Sequence, residues 1–545
     1  MLAAPAEANA AMSAYTPLYA DANATTWERD AELATALDTL WLLQSSIFIF
    51  IMQAGFALVE VGSVTSKSTQ DIMLKNVMDV STSLVIWWLC GSAIMGEGGN
   101  AFAGAIFTTL DGDEQQGLFT SRWLLGYMYV AASVTIVSGA IAERTRHPGY
   151  IFSSSLTALC IYPVIAHWVW ASNGMFSRQN PKALLGGAID FAGGGVVHVT
   201  GGTLALCASK LVGPRNGRFD SLTHQPLEMR GQSTSYIMIG TFFLWVGWLA
   251  FNMGSTLGIS TRGAAQTAAR VGSRTMLAGS AGCIAMTAIN YVHTRSWSVS
   301  KSCFGILSGL VAITASCSTV GAWAAAVIGA VGACLFQVTS HIVLCKLRID
   351  DVVDAFSIHA VPGAWGLIAA SLFSDGRYSP GAVGLFYGGD GRLLAASLVL
   401  ICAIVAWSVI IGGIGLMIAK RLGILTIPTD LQRFGSDVAH SPARRTAASC
   451  ARGAGSAAPR VNMNVCTLAS TPELHAVLPD TQMTSTTHST EPMADATIQQ
   501  HNEQTVRGGQ TNWRFAAFAS MSTATSAASS TAASESSQCG NDDSV

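Results

Sequence analysis

The sequence predicts an all-α polytopic membrane protein with about eleven transmembrane helices, arranged as an inverted 5+5 repeat plus one C-terminal span. Three observations carry this expectation. The 545 residues are 50% hydrophobic and only 11% charged, with a positive mean hydropathy, far from the composition of a soluble domain. Apolar stretches with room for the roughly 20 helical residues that cross a bilayer recur between Leu40 and Lys420. Ordered internal matches divide those stretches into halves. "GFALVEVGS" (55–63) aligns without gaps on "GWLAFNMGS" (247–255), "SGAIA" (138–142) on "SGLVA" (308–312), and "DFAGGGVVH" (190–198) on "DVVDAFSIH" (351–359).

Residues 1–39 form a polar, Ala-rich N-terminal segment. A cleavable signal is not supported, because the first cation, Arg29, follows that segment instead of preceding an apolar core, so the first span is expected to act as its own insertion signal. The spans are read at about 40–62, 73–96, 122–142, 149–171, 190–213, 234–257, 275–293, 303–319, 321–345, 352–374 and 393–419. Connections after the odd spans, and the tail, carry Lys67, Arg144, Arg146, Lys210, Arg215, Arg218, Arg230, Arg295, Lys301, Lys346, Arg348, Lys420 and Arg421; those after even spans are poorer in cations. This bias predicts an extracellular N-terminus and a cytoplasmic C-terminus. The sequon Asn23-Ala24-Thr25 then lies outside, where a glycan could be added.

Arg262, Arg270 and Arg274 fit this plan badly, since a seventh helix starting near 264 would bury Arg270 and Arg274 on one face. The span is accordingly expected to start later. Residues 441–545, rich in Ser, Thr and Ala as in "STATSAASSTAASESSQ" (522–538), read as a disordered cytoplasmic tail. The net charge of −2, without a basic block, excludes nucleic acid as a partner. Cysteines such as Cys90, Cys160, Cys207, Cys283, Cys334 and Cys402 stand singly in apolar runs, with no C-x-x-C pair, and read as small core hydrophobes.

A repeat of five spans is odd, so its two copies cross in opposite directions and place a substrate path at their interface. His198 and His359 occupy equivalent positions and should meet near that pseudo-axis. Taken singly, each is as readily an interhelical hydrogen-bonding group as a functional one; the symmetry weights function, since two neutral imidazoles can share one N–H and present their remaining edges to a small, neutral, hydrogen-bonding solute. Asp190 can cap its own helix by accepting the N–H of Ala192 or Gly193, and as a fixed negative charge beneath an entrance it can also favour an arriving cation.

The segments "MQAGFALVEVGSVTSKS" (52–68), "LKNVMD" (74–79), "SGAIAER" (138–144), "YPVIAHWVW" (162–170), "DFAGGGVVH", "GWLAFNMGS" and "DDVVDAFSIHAVPGAWG" (350–366) closely resemble the Amt/Mep/Rh family of ammonium transporters, in the family's order and across residues 40 to about 420. The resemblance implies eleven transmembrane helices in an inverted 5+5 repeat and one pore per subunit of a homotrimer. It implies a multi-pass plasma-membrane protein that conducts ammonium or ammonia, with methylammonium as a further substrate, and that is not an enzyme. No cofactor and no metal are implied.

Trp170 and Ser255 would form the outer recruitment site of the Amt type, by cation–π attraction and hydrogen bonding. Without the resemblance, Trp170 reads as an interfacial anchor and Ser255 as a packing residue. Phe251 matches one ring of the family's stacked gate, and Tyr129 stands where the family has the second phenylalanine, a departure whose hydroxyl needs a partner. His198 and His359 match the twin histidines, and Asp190 the recruiting and structural carboxylate. Residues 421–440 resemble a weakened cytoplasmic C-terminal motif that keeps Gly435, Asp437 and His440 but is poor in flanking acids, which weakens any expectation of coupling between subunits through it. Two other readings remain: an ammonium sensor that signals through the tail, and a metal hydrolase with His198, His359 and Asp354 as ligands, for which no local motif such as H-E-x-x-H is present.

Overall fold

The computed structural model describes residues 25–105 and 117–441. The Asn23 sequon and the tail beyond residue 441 lie outside the described residues. Regular structure among them is helical, apart from two isolated bridges, Thr145 with Thr426 and Phe219 with Pro226. The principal helices are α1 Thr26–Ser63, α2 Ser66–Met95, α3 Gly117–Ala140, α4 His147–Trp170, α5 Gly194–Val212, α6 Thr234–Gly254, α7 Arg262–Thr294, α8 Val299–Thr314, α9 Ala322–Lys346, α10 Phe356–Phe373 and α11 Arg392–Arg421. Ten of these are long and apolar enough to cross a membrane. The other, α8, is apolar but has 16 residues, about 24 Å at 1.5 Å per residue.

Several helix starts follow from a hydroxyl or carboxylate that satisfies first-turn donors. The side chains of Ser233, Thr261 and Ser298 accept the N–H groups of Tyr236, Ala264 and Lys301 at 3.3, 3.2 and 3.4 Å, and so start α6, α7 and α8. Thr261 corrects the expected start of the seventh span, which is Arg262 and not a residue near 275. Arg270 and Arg274 do lie on one helix, and the expected penalty is met by groups far away in sequence. Their Nε atoms donate to the carbonyls of Ser318 (3.3 Å) and Val320 (3.4 Å) beyond α8. The Arg270 guanidinium also lies 4.7 Å from the centre of the Tyr378 ring.

The two halves pack reciprocally. Gly62 near the end of α1 abuts Ser233 and Ile237 at the start of α6, Gly55 abuts Leu244, Gly247 abuts Met52, and Gly254 abuts Ser45 near the middle of α1. Helices α1 and α6 therefore run antiparallel along a seam that admits almost no extra atoms. The same holds for α5 and α10, where Gly202 meets Ala360 and Gly363 meets Gly194 and His198.

At the end of the bundle opposite Trp170, charged connections lock together. Arg215 Nη1 is 2.5 Å from Glu143 Oε2, its Nε is 2.8 Å from Asp350 Oδ2, and Arg218 Nε lies 3.3 Å from Asp350 Oδ1. Burial pushes the Asp350 carboxyl up, but the hydrogen bonds and charge of Arg215 outweigh it and hold the group at about 2. Residues 421–441 dock on this end: the Ile427 N–H donates to the Arg144 carbonyl (2.9 Å) and the Arg146 N–H to Leu425 (3.1 Å). The Asp437 carboxylate accepts the N–H of Asp71 at 2.8 Å. Of the expected C-terminal motif, Gly435 adopts a φ of 90° directly against Lys67, where a side chain would be both strained and obstructed.

Two outcomes follow from these contacts. Gly247→Leu forces a branched side chain into Met52 and should destabilise the protein by roughly 1–3 kcal/mol, read as a lower thermal midpoint in detergent by size-exclusion fluorescence. Because the Asp350 carboxyl is depressed, its contribution is fully present above the ordinary carboxylate value near ~3.9 and is lost only as pH falls toward 2. Asp350→Asn should therefore lower the midpoint by a similar amount at every pH from 8 to 5, whereas a difference that grows with pH across that range would contradict the assignment.

Candidate functional site

The site is built from two segments of equal design. Asp190 accepts the N–H groups of Gly193 (3.1 Å), Gly195 (2.9 Å) and Val196 (2.9 Å). The expected cap through Ala192 does not form, because the Ala192 N–H donates to the Thr314 carbonyl. Asp351 accepts the N–H of Phe356 at 2.8 Å, the same five-residue step as from Asp190 to Gly195. Three residues after each aspartate the backbone turns left-handed, at Gly193 (φ 94°) and at Asp354 (φ 56°). Each segment then forms a wide π-type turn, Gly194–Val199 and Phe356–Ala360, that carries the histidine. Because α5 and α10 oppose each other, the two turns meet.

His198 Nδ1 lies 3.2 Å from His359 Nδ1, with ring planes 17° apart. One of these atoms donates and the other accepts, so at least one imidazole is neutral. His198 is fully buried and His359 is 5% exposed. The ring of Trp248 stacks on His198 at 5.0 Å and 13°, and its Nε1 is fixed by Thr314 Oγ1 at 2.9 Å. The His198 Nε2 atom has no protein partner, and because the pair is joined through Nδ1 the two Nε2 atoms are the edges that could meet a solute.

On the Trp170 side, the Trp170 Nε1 donates to the Asp190 carbonyl at 2.9 Å. This bond sets the indole plane, and Gly193 packs beneath the ring where a Cβ would crowd it. Phe251 and Tyr129 lie between Trp170 and the histidines: Tyr129 is 5.6 Å from Trp170 and meets Phe251 edge to face at 4.6 Å and 83°, while Phe251 is 5.8 Å from His198. Ser255, just past the end of α6, lies 2.7 Å from the Tyr129 hydroxyl through its Oγ. The expected site residues thus form one column: Trp170 and Ser255, then Tyr129 and Phe251, then His198 and His359, with Asp190 behind the backbone that supports them.

Beyond His359 a cavity is lined by Phe56, Glu60, Thr135, Trp248, Val353 and His359, among others. Sequence reasoning missed Trp248, Asp351 and Glu60 here. All three lie inside the repeat motifs, and the equal Asp-to-His spacing singled out Asp351. Asp354, expected as a ligand in a metal-hydrolase reading, instead accepts from Ser340 at 2.8 Å. Among the described residues, the His and carboxylate groups close enough for a shared ion are Asp71, His147 and His440. There Lys75 already sits 2.7 Å from Asp71 Oδ2, and His440 Nδ1 lies 3.1 Å from the Ser436 carbonyl, so the group reads as ion pairing at the docked C-terminal segment.

Comparison with known proteins agrees with this arrangement. The model of the Ammonium Transporter Family matches residues 40–444. Ammonium transporter 1 member 3 of Solanum lycopersicum is 36% identical over 432 residues, covering 76% of this chain and 93% of that protein. Ammonium transporter Amt2 of Archaeoglobus fulgidus is 36% identical over 418 residues, covering 75% and 87%. A solved structure described as "Sensor Amt Protein" superposes with a TM-score of 0.69 at 27% identity, covering 75% of this chain and all of that one. Relatives of this kind are transporters and not enzymes. On the match over residues 40–444 and the identity to curated members across most of their length, the chain belongs to the ammonium transporter family.

Proposed function

We propose that this chain conducts ammonium across the plasma membrane as ammonia plus a separately handled proton, through a passage that runs from Trp170 to His359. The observation that carries the reading is the buried His198–His359 contact at 3.2 Å directly behind the Tyr129–Phe251 pair. Ammonium is held first by the face of Trp170 and the Ser255 oxygen, and the charge of Asp190 behind them favours a cation. Moving a full charge past the closed aromatic rings would leave it unsolvated, so the cation loses a proton and crosses as neutral ammonia. Sodium and potassium have no proton to lose and stop at the rings. The histidine pair offers a donor and an acceptor edge to ammonia, which is protonated again on the far side.

In this reading residues 1–39 are extracellular, 40–420 form the transport domain with eleven crossings, 421–440 form a cytoplasmic motif and 441–545 a cytoplasmic tail. The active assembly is a homotrimer with one pore per subunit, and methylammonium is a second substrate. A sensing role on the same fold is not favoured. The family match and the curated relatives are transporters, and the likeness to a sensor structure is a likeness of fold.

Purified protein in proteoliposomes should give a change in internal pH on an ammonium pulse that empty vesicles lack, with no response to sodium or potassium. Asp190→Ala should abolish it, with folding verified by size exclusion. Absence of flux from folded wild-type protein would remove the transport reading. His198→Ala should cut the ammonium response at least about ten-fold, or let charged species through, the loss of more than about 1.4 kcal/mol of selective stabilisation.

A further inference from the structure

We propose that the Tyr129 hydroxyl is itself a substrate-binding group: with Ser255 Oγ and the Phe251 carbonyl it forms a cluster beneath Trp170 whose two hydroxyl oxygens accept from the solute and set the preference for ammonium over trimethylammonium, which cannot donate to both. This rests on the transport reading and adds to it a residue that the phenylalanine expected at this position could not supply.

The hydrogen inventory carries the argument. Ser255 donates to the Phe251 carbonyl at 2.9 Å. The Tyr129 hydroxyl lies 2.7 Å from Ser255 Oγ and 3.2 Å from the Phe251 carbonyl. That carbonyl belongs to the last turn of α6 (Thr234–Gly254), where carbonyls have no partner further along the helix. The cluster therefore has three oxygens and two hydroxyl hydrogens, and both hydrogens can be directed inward, one to the carbonyl and one to Ser255 Oγ. What remains is lone pairs on two hydroxyl oxygens and no free donor. A cluster that accepts and cannot donate is complementary to a solute that donates and cannot accept. Ammonium, with four N–H groups and no lone pair, is such a solute, whereas water needs donors as well.

Tyr129 is 5% exposed, and its ring lies 5.6 Å from Trp170 and 4.6 Å from Phe251. The Tyr129 ring thus borders both the aromatic face that attracts a cation and the ring that closes the passage, and its hydroxyl reaches Ser255. An ammonium ion can donate one N–H to each hydroxyl oxygen and keep another toward the indole. Methylammonium, with three N–H groups, can still meet both hydroxyl oxygens and the indole, whereas trimethylammonium, with one, leaves a hydroxyl oxygen unpaired. The phenol's specificity comes from this mismatch, while its ring keeps the position of a gate phenylalanine.

The test is Tyr129→Phe in full-length protein, measured in proteoliposomes beside wild type with ammonium as substrate and trimethylammonium as competitor. The half-saturation concentration for ammonium should rise about three- to ten-fold, the scale of one hydrogen bond to a partly buried cation. The concentration of trimethylammonium that halves the ammonium response should move less, so that discrimination shrinks. Ser255→Ala and the double variant extend the test: because both oxygens serve one cation, the two effects should fail to multiply. A wild type without flux would remove the transport reading and this inference with it. Flux in wild type, with ammonium half-saturation unchanged or lowered in Tyr129→Phe, would overturn this inference alone, as would single effects that multiply strictly.

Discussion

A polar atom held away from water without a partner costs a few kcal/mol, and inside a bilayer no solvent is available to relieve it. Around the passage the groups that position the site meet that cost within the protein. The Asp190 carboxylate is surrounded by backbone donors from Gly193, Gly195 and Val196. The Trp170 N–H is satisfied by the Asp190 carbonyl and the Trp248 N–H by Thr314. Beside these paired groups, the Nε2 of His198 has no protein partner, as is also true of Asp351 Oδ1 and Ser357 Oγ. The same economy holds at the bundle's end, where Arg270 and Arg274 find carbonyls of the segment after α8.

Reciprocal packing fixes the relative positions of the helices that line the site. Small residues at matching positions of α1 and α6 let the backbones touch, and packed backbones leave the side chains above them little freedom. The π-type turns at Gly194–Val199 and Phe356–Ala360 widen each helix where its histidine must reach the axis. Both turns follow a left-handed residue and are capped by the carboxylate of an aspartate three positions before it, so two sequences with few identities share one backbone path. Glycine at one such position and aspartate at the other reflect different neighbours: Gly193 lies under Trp170, whereas Asp354 is tied by its side chain to Ser340.

The symmetry of the backbone is not a symmetry of chemistry. Glu60 in α1 accepts from Asn76 (2.7 Å) and Ser138 (3.2 Å), while its counterpart in α6, Asn252, donates to Thr275 (3.0 Å). One end of the passage is thus faced by aromatic rings and hydroxyl oxygens, and the cavity at the other is lined in part by a carboxylate. A path with unlike ends on like scaffolds meets a solute with different chemistry at each mouth. Membership of the ammonium transporter family accords with that division.

The sequence by itself determined the class of fold, the family, nearly all the helices and the residues that form the column from Trp170 to His359. The helices are readable because hydropathy and helix caps are local, and His198 and His359 because the repeat announces which distant positions are equivalent, whereas Trp170, Ser255, Tyr129 and Phe251 were legible only through the resemblance to the family. Its failures were long-range. Nothing near Arg270 in sequence indicates that a carbonyl 48 positions away would receive it, so the seventh helix was expected to start too late even though Thr261 offered a cap. The stacking of Trp248 on His198 and the bond between Tyr129 and Ser255, 126 positions apart, were likewise decided only by tertiary packing. Such partnerships depend on which side chains the folded helices bring within 3 Å of each other, and that is a property of the assembled bundle.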